Sequence, residues 1–478
     1  MRERSREHGR EQTREHTRAP EPRAAPLADS PALSGWLIVI LAAAVLIAWA
    51  QSAPVDDLYV SLVGGHDVLL GRLARPDQWS YMTAGRVWID QNWLSHLLIY
   101  AGWRAGGEYA LLALKAALLA AMAALVYLLS RDRSRDRSIA LLVTAILVLG
   151  CVRFVVLRPN LISLVLFPLA LLVIQTSHAQ TRRRLWLVPL ACLWANAHGG
   201  FVLLLLVVGL WVACALFNAL RRGGAPVARA AWPLTALFAA CVLVCAVSPF
   251  GVTNLTHPVV IASSHAWRQV PEWLPLTSPR GLAFPWEFVW ILGALALLGL
   301  TQWVRAGARK VPRARTPAAA PAEVSPALFE WLLVLLTTAM AIQSRRFVPI
   351  AVLACAAPLA AALAAISLRP RRVLLVGAAS ALSVACAVLA WRSFQPYRSD
   401  HPIRRGSTTF DRMFAVSDYF PVDAAEFLRR NHVAANVFSE WEWEGYLRWI
   451  DPHARVFLGS RAQQAYPESS LALVRRIQ

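Results

Sequence analysis

Apolar residues in this chain fall in long blocks divided by short polar or basic turns. The first block covers 33–50, enough to cross a bilayer core, which takes about 20 apolar residues as a helix. Further blocks predict spans at 108–129, 138–157, 160–177, 185–198, 199–220, 231–249, 286–304, 327–342, 346–367 and 373–391. The pattern therefore reads as an all-α polytopic membrane protein of about eleven transmembrane helices.

Basic clusters orient the spans. Arg131/Arg133/Arg135/Arg137, Arg182 to Arg184, Arg221/Arg222/Arg229, Arg305 to Arg315 and Arg369/Arg371/Arg372 all fall on one side, which the positive-inside rule makes cytoplasmic. Two ambiguous segments follow from that parity. The stretch 92–104 is short and amphipathic, and is expected to lie in the external interface instead of spanning. The block 185–220 is expected to break into a hairpin at Gly199-Gly200.

The organisation that results has three parts. Residues 1–32 form a polar cytoplasmic tail that cannot bury enough surface to fold. Residues 33–391 form the transmembrane domain, with external loops at 51–107 and 249–285. Residues 392–478 read as a small external α/β domain, incomplete at its end: a helical run over 422–430, short strands at 436–439 and 455–458, and a closing helix at 467–477. So small a unit is expected to pack on the membrane part.

Composition agrees, with 57% hydrophobic and 16% charged residues, against about 25% charged in a soluble protein. The net charge of +20 would suggest nucleic acid in a soluble chain. Here it resides in the inter-span clusters, so the bilayer replaces nucleic acid as the expected partner. The seven cysteines lie in apolar stretches and form no CxxC pattern. No nucleotide-binding or hydrolase motif occurs at a credible position.

Chemistry is then expected on the external face. The first loop is acidic, and Asp57 follows the first span closely enough to sit in a partly desolvated cleft, as a general base or as a ligand of a divalent cation. Glu272, held between prolines beside Trp273, is a candidate second carboxylate. His198 lies at the tip of the 185–220 hairpin, where it would meet a metal or a phosphate. Arg158 and the Arg345-Arg346 pair run against the positive-inside trend, and a lipid phosphate is a natural partner for them.

Several stretches resemble a group of uncharacterised bacterial membrane proteins: Asp57-Leu58-Tyr59, Asp77-Gln78-Trp79-Ser80-Tyr81, Asn92-Trp93-Leu94, Arg158-Pro159, Ser248-Pro249-Phe250-Gly251, Glu272-Trp273, Arg345-Arg346-Phe347-Val348-Pro349 and Trp443-Glu444-Gly445-Tyr446-Leu447. At Tyr59-Val60-Ser61 the chain departs from that group's Trp-Trp-His. The group in turn resembles the GT-C superfamily of polyprenyl-phosphate-sugar glycosyltransferases, which includes oligosaccharyltransferases. That resemblance implies a bacterial inner-membrane enzyme with a cytoplasmic N-terminus and an external C-terminus. It implies transfer of a sugar from a polyprenyl-phosphate-linked donor, with the first-loop acid Asp57, or in its place Asp56, catalytic, and Trp443 and Tyr446 in acceptor recognition. Glu272 as second catalytic carboxylate, and Arg158, His198, Arg345 and Arg346 as substrate-binding residues, rest on the side chains themselves. The competing expectations are a surface-polysaccharide polymerase or ligase, and a non-catalytic component of envelope assembly.

Overall fold

The computed structural model describes residues 31–478 apart from 54, 84, 178–179, 222–224, 265–269, 280–285, 287, 294, 297–298, 300–325, 399–407, 434–435, 468, 471–472, 474–475 and 477–478. The expected tail, the Arg305 to Arg315 cluster, much of the 286–304 span and much of the 467–477 helix lie outside the described residues.

The apolar blocks fold into helices, in chain order α1 (Pro31–Ala50), α2 (Asp56–Leu69), α3 (Trp93–Ser134), α4 (Arg137–Gly150), α5 (Pro159–Ser177), α6 (Leu187–Ala197), α7 (Val202–Arg221), α8 (Ala225–Val244), α9 (Thr253–Ser263), α10 (Pro326–Gln343), α11 (Val348–Ala354), α12 (Ala356–Ala364) and α13 (Leu368–Arg398). Among the described residues six helices are long and apolar enough to cross a membrane, and three more apolar helices are shorter. The chain is a multi-pass membrane protein.

Local chemistry sets the boundaries. The Asp136 carboxylate caps α4 by accepting the Ile139 N–H at 3.1 Å. Gly106 and Gly107 interrupt α3 with non-helical backbone, so its first arm, 93–105, is set apart from the long second arm. The 185–220 block breaks at a 3₁₀ turn, Gly199–Phe201, between α6 and α7. A buried polar anchor ties α1 to α3. Lys115 on α3 is fully buried and donates to the carbonyls of Trp49, at 2.7 Å, and Gln51, at 3.3 Å. A cation there meets the unsatisfied carbonyls at the C-terminus of α1.

The C-terminal stretch contains α14 (Val422–Arg430), β1 (Asn436–Val437), α15 (Glu444–Ile450) and β2 (Arg455–Val456). The strands run parallel, Asn436 opposite Arg455 and Val437 opposite Val456. They are shorter than the sequence pattern suggests, because after Val456 the chain turns towards α2 through Gly459 and Ser460. On its other edge β2 pairs with the segment between α2 and α3: the Val456 N–H donates to Trp79 O at 3.0 Å, and the Tyr81 N–H to Val456 O at 3.3 Å. Phe410, Phe414, Phe420, Tyr446 and Leu447 belong to the same continuous core as the helical bundle. This stretch thus has most of its apolar packing in common with the membrane part.

Candidate functional site

A cavity of about 440 Å³ opens where the turns at one end of the bundle converge. The start of α2 contributes Asp57, and the start of α3 contributes His96. The turn before α5 brings Arg153 and Arg158, and the α6–α7 turn brings His198. A 3₁₀ turn, Pro271–Trp273, presents Glu272, and a second, Arg345–Phe347, presents Arg345 and Arg346. Glu442, Ser460 and Arg461 line it from the C-terminal stretch. Six of the eight residues singled out from sequence therefore share one cavity.

Trp443 and Tyr446 do not line it. The Tyr446 ring is 4% exposed, packed edge-on against Tyr59 at 4.9 Å and stacked on Phe420 at 4.8 Å. The run placed at the acceptor by resemblance is used instead to join α15 to α2. There the buried Asp56 carboxylate accepts the N–H groups of Gly445 at 3.0 Å and Tyr446 at 2.9 Å, together with the Ser460 hydroxyl. Burial pushes its carboxyl well above the usual range, against those three donors.

Asp57, one residue on, faces the cavity with its side chain 42% exposed. It shares a guanidinium nitrogen with Glu272. Arg158 Nη1 lies 2.6 Å from Glu272 Oε1 and 3.3 Å from Asp57 Oδ2. Although burial opposes it, the positive charge of Arg158, with Arg346 behind, holds the Glu272 carboxyl below its ordinary value. Glu442 behaves in the opposite way. Burial and the negative charges of Asp57 and Glu272 push its carboxyl up.

Arg346 is a cation placed for a ligand. Its guanidinium lies over the Trp273 ring at 4.8 Å, and no carboxylate among the described residues hydrogen-bonds it. Burial, together with the like charge of Arg158, lowers its pKa, although Glu272 and Asp57 counter this. Arg345 has a positioning contact. Its N–H donates to Leu274 O at 3.1 Å and its guanidinium to Ser278 O, which ties the Glu272 turn to the start of α11.

Two imidazoles complete the wall. His198 is buried and its Nδ1 meets the Ser163 hydroxyl at 2.6 Å and the Gly200 N–H at 3.0 Å. Burial, then the cations Arg346 and Arg158, drive its pKa well down, so the ring is neutral. His96 Nδ1 lies 2.9 Å from the buried Asp90 carboxylate. Glu442 and His96 escaped the sequence reading, and Asp90 was seen only as one of several first-loop acids. The available signs were an acid six residues ahead of a histidine across a helix start, and an acid flanked by two tryptophans.

Among the described residues no group of three or more His, Cys, Asp or Glu side chains is placed to hold a metal ion. Arg158 occupies the space that a cation bridging Asp57 and Glu272 would need, so the residues present do not fit a resident metal.

Behind the cavity, a buried ionic cluster fastens the C-terminal stretch to the segment between α2 and α3. The Arg461 guanidinium makes two bonds to Asp77, at 2.6 and 2.9 Å, and bonds to Glu444 at 3.0 and 2.8 Å. It also lies over the Trp79 ring at 4.4 Å and the Trp88 ring at 5.0 Å.

No protein-family model matches the chain, and no curated protein sequence matches it. Its fold is similar to that of a solved oligosaccharyltransferase from Archaeoglobus fulgidus in the apo form. The identity is 13% and the TM-score 0.52, over 90% of this chain and 65% of that one. A structure of the same archaeal enzyme with zinc and sulfate aligns at 15% identity and a TM-score of 0.41, over 88% of this chain and 62% of that one. The chain thus spans just under two thirds of the length of the protein it resembles, and the likeness shows a fold of the GT-C type.

Proposed function

We propose that this protein transfers a sugar from a polyprenyl-phosphate-linked donor to an acceptor, in the cavity at the non-cytoplasmic end of its helices. The observation that carries this reading is the juxtaposition of Asp57 and Glu272 with Arg158 and the open Arg346. The GT-C-type fold supports it. So does the chain path, since the turns with Arg131 to Arg137 and Arg182 to Arg184 each lie one helix away from a cavity turn, and Arg371/Arg372, at the start of α13, follow the Arg345–Phe347 turn after α11 and α12.

The chemistry follows from the charges. A phosphate at the anomeric carbon is already a stabilised leaving group, so catalysis is mostly positioning and electrostatics. Arg346, stacked on Trp273, presents a fork suited to phosphate oxygens. Arg158 balances the two carboxylates. Asp57, the more exposed and more loosely paired of them, is placed to stabilise the positive charge that develops on the sugar as the bond to phosphate breaks.

The test is glycan profiling of a strain deleted for this protein and complemented with wild type or with Asp57→Asn. Restoration of a lost surface glycan or glycoprotein residue by wild type, with at least a 100-fold deficit in D57N at equal membrane level, is the expected result. An unchanged glycan profile on deletion contradicts the transfer reading. Equal restoration by D57N removes Asp57 from the site.

A further inference from the structure

Resting on the transfer reading, we infer that His96, held by Asp90, is the base that takes the proton from an acceptor hydroxyl, while His198 donates a hydrogen bond to the donor's phosphate. Both rings line the cavity, and the α3 start packs on the α6–α7 turn to bring them there. Trp93 Nε1 donates to Asn196 Oδ1 at 2.9 Å, the Gly199 N–H donates to Asn92 Oδ1 at 3.3 Å, and the Ser95 hydroxyl donates to Ala197 O.

The two rings are held in opposite tautomers. Asp90 is an acceptor next to His96 Nδ1, so the proton of a neutral His96 resides on Nδ1 and Nε2 keeps its lone pair. At His198 the order reverses. Trp194 Nε1–H donates to Ser163 Oγ at 2.8 Å, and that hydroxyl donates onward to His198 Nδ1, which also accepts the Gly200 N–H. Nδ1 of His198 is therefore the acceptor, and Nε2 has the proton. Among the described residues no side chain or backbone group hydrogen-bonds Nε2 of either ring. Of the two imidazoles, His96 thus offers the cavity a proton acceptor, Nε2, and His198 a neutral donor, Nε2–H.

Glu272 and Asp57 both direct oxygens at Arg158, so a guanidinium engages the lone pairs that a proton would need. Although burial opposes it, the charge of Arg158 holds the Glu272 carboxyl below its ordinary value, which makes Glu272 the poorer base. The groups that bear on the imidazoles are Asp90 at His96, and Arg346, Arg158 and His96 itself at His198. Trp88 packs on the His96 ring at 5.7 Å and on the Arg461 guanidinium at 5.0 Å. In the step assigned here the acceptor oxygen attacks the anomeric carbon as its proton passes to His96 Nε2. The bond from that carbon to the phosphate oxygen breaks, and its electron pair leaves with the phosphate. Asp90 stabilises the imidazolium that forms.

The test uses the full-length protein in the complemented deletion strain, together with purified protein in nanodiscs. The initial rate at which the missing glycan reappears after induction is expected to fall at least 100-fold in H96Q. Binding of decaprenyl phosphate, read by tryptophan fluorescence, is expected to stay within about 3-fold of wild type. Nitrogen-15 spectra of labelled histidine, assigned by the signals missing in H96Q and H198Q, are expected to show Nδ1–H at His96 and Nε2–H at His198. D90N should abolish the single tautomer at His96. A wild-type rate in H96Q, or an Nε2–H tautomer at His96 in the wild type, overturns the base assignment and leaves the transfer reading standing. Failure of wild type to restore any glycan overturns the transfer reading, and the base assignment with it. If H96Q proves too unstable to purify, the His96 signal is assigned from H96N instead, and the wild-type tautomer decides.

Discussion

Asp56 and Asp57 are neighbours on one helix, and a step of about 100° around its axis sends one carboxylate inward and the other to the cavity. A reading of residue types treats the two as near equivalents. Only the arrival of Gly445, Tyr446 and Ser460 at Asp56 separates a structural clamp from a candidate catalytic group. Arg461 shows the same division of labour among charges. Burial alone would pull its guanidinium down, yet Glu444, Tyr466 and Asp77 hold it well above the ordinary value, and Asp77 in return is held below 3.8. Arg461→Met leaves two acids buried without a cation, which costs on the order of 3–5 kcal/mol. The pH dependence fixes the sign. In the wild type the Asp77 contribution is present above pH 3.8 and is lost as pH falls through its lowered pKa. In R461M the unpaired acids rise above their unfolded values, so their penalty shrinks on acidification. The Tm deficit of R461M in detergent should therefore narrow between about pH 7 and pH 4. A deficit that is constant with pH would show that the cluster is not ionic in the way described.

At the scale of elements, close backbone approach decides where α2 sits. A Cβ on Gly65 would lie 2.3 Å from the His96 carbonyl oxygen, and one on Gly445 would lie 2.5 Å from the Val60 nitrogen. These two glycines let α2 press against α3 on one side and α15 on the other, which places Asp57 and His96 along the same cavity. Gly65→Ala is expected to destabilise by about 1–3 kcal/mol through this overlap. Gly102→Ala, whose Cβ would meet nothing nearer than 3.7 Å, should leave Tm within about 1 °C of wild type. Equal Tm values for the two variants would contradict the packing. Helices such as α14, the hairpin break at Gly199-Gly200 and the distinct 93–105 arm were legible from apolar blocks and turn residues, because those are local properties. The union of β2 with Trp79–Tyr81 was not, since it joins segments more than 370 residues apart without a hydrophobic pattern to mark it. Asp90 and His96 went unread as a pair for the same reason: their meaning depends on what the α6–α7 turn brings against them.

Over the whole molecule, the helices gather acids, cations and imidazoles from eight separate turns and helix starts at one end, while most of the arginine clusters lie one helix-length away. That polarity suits the lipid-linked donor proposed above, whose chain would lie along apolar helices while its phosphate would reach Arg346. The resemblance to polyprenyl-phosphate-sugar transferases pointed to Asp57, and the side chains themselves to Arg158, Glu272 and the Arg345-Arg346 pair. The structure adds the reason they belong together, a single guanidinium between two acids and a second one open above Trp273. The central claim is that this end of the protein holds a lipid phosphate, and binding tests it most directly. Tryptophan fluorescence of the purified protein in nanodiscs should respond saturably to decaprenyl phosphate and not to decaprenol, with affinity reduced at least 10-fold in Arg346→Ala, in line with loss of a hydrogen bond to a charged partner. Equal responses to the phosphate and the alcohol, or unchanged affinity in R346A, would contradict the account.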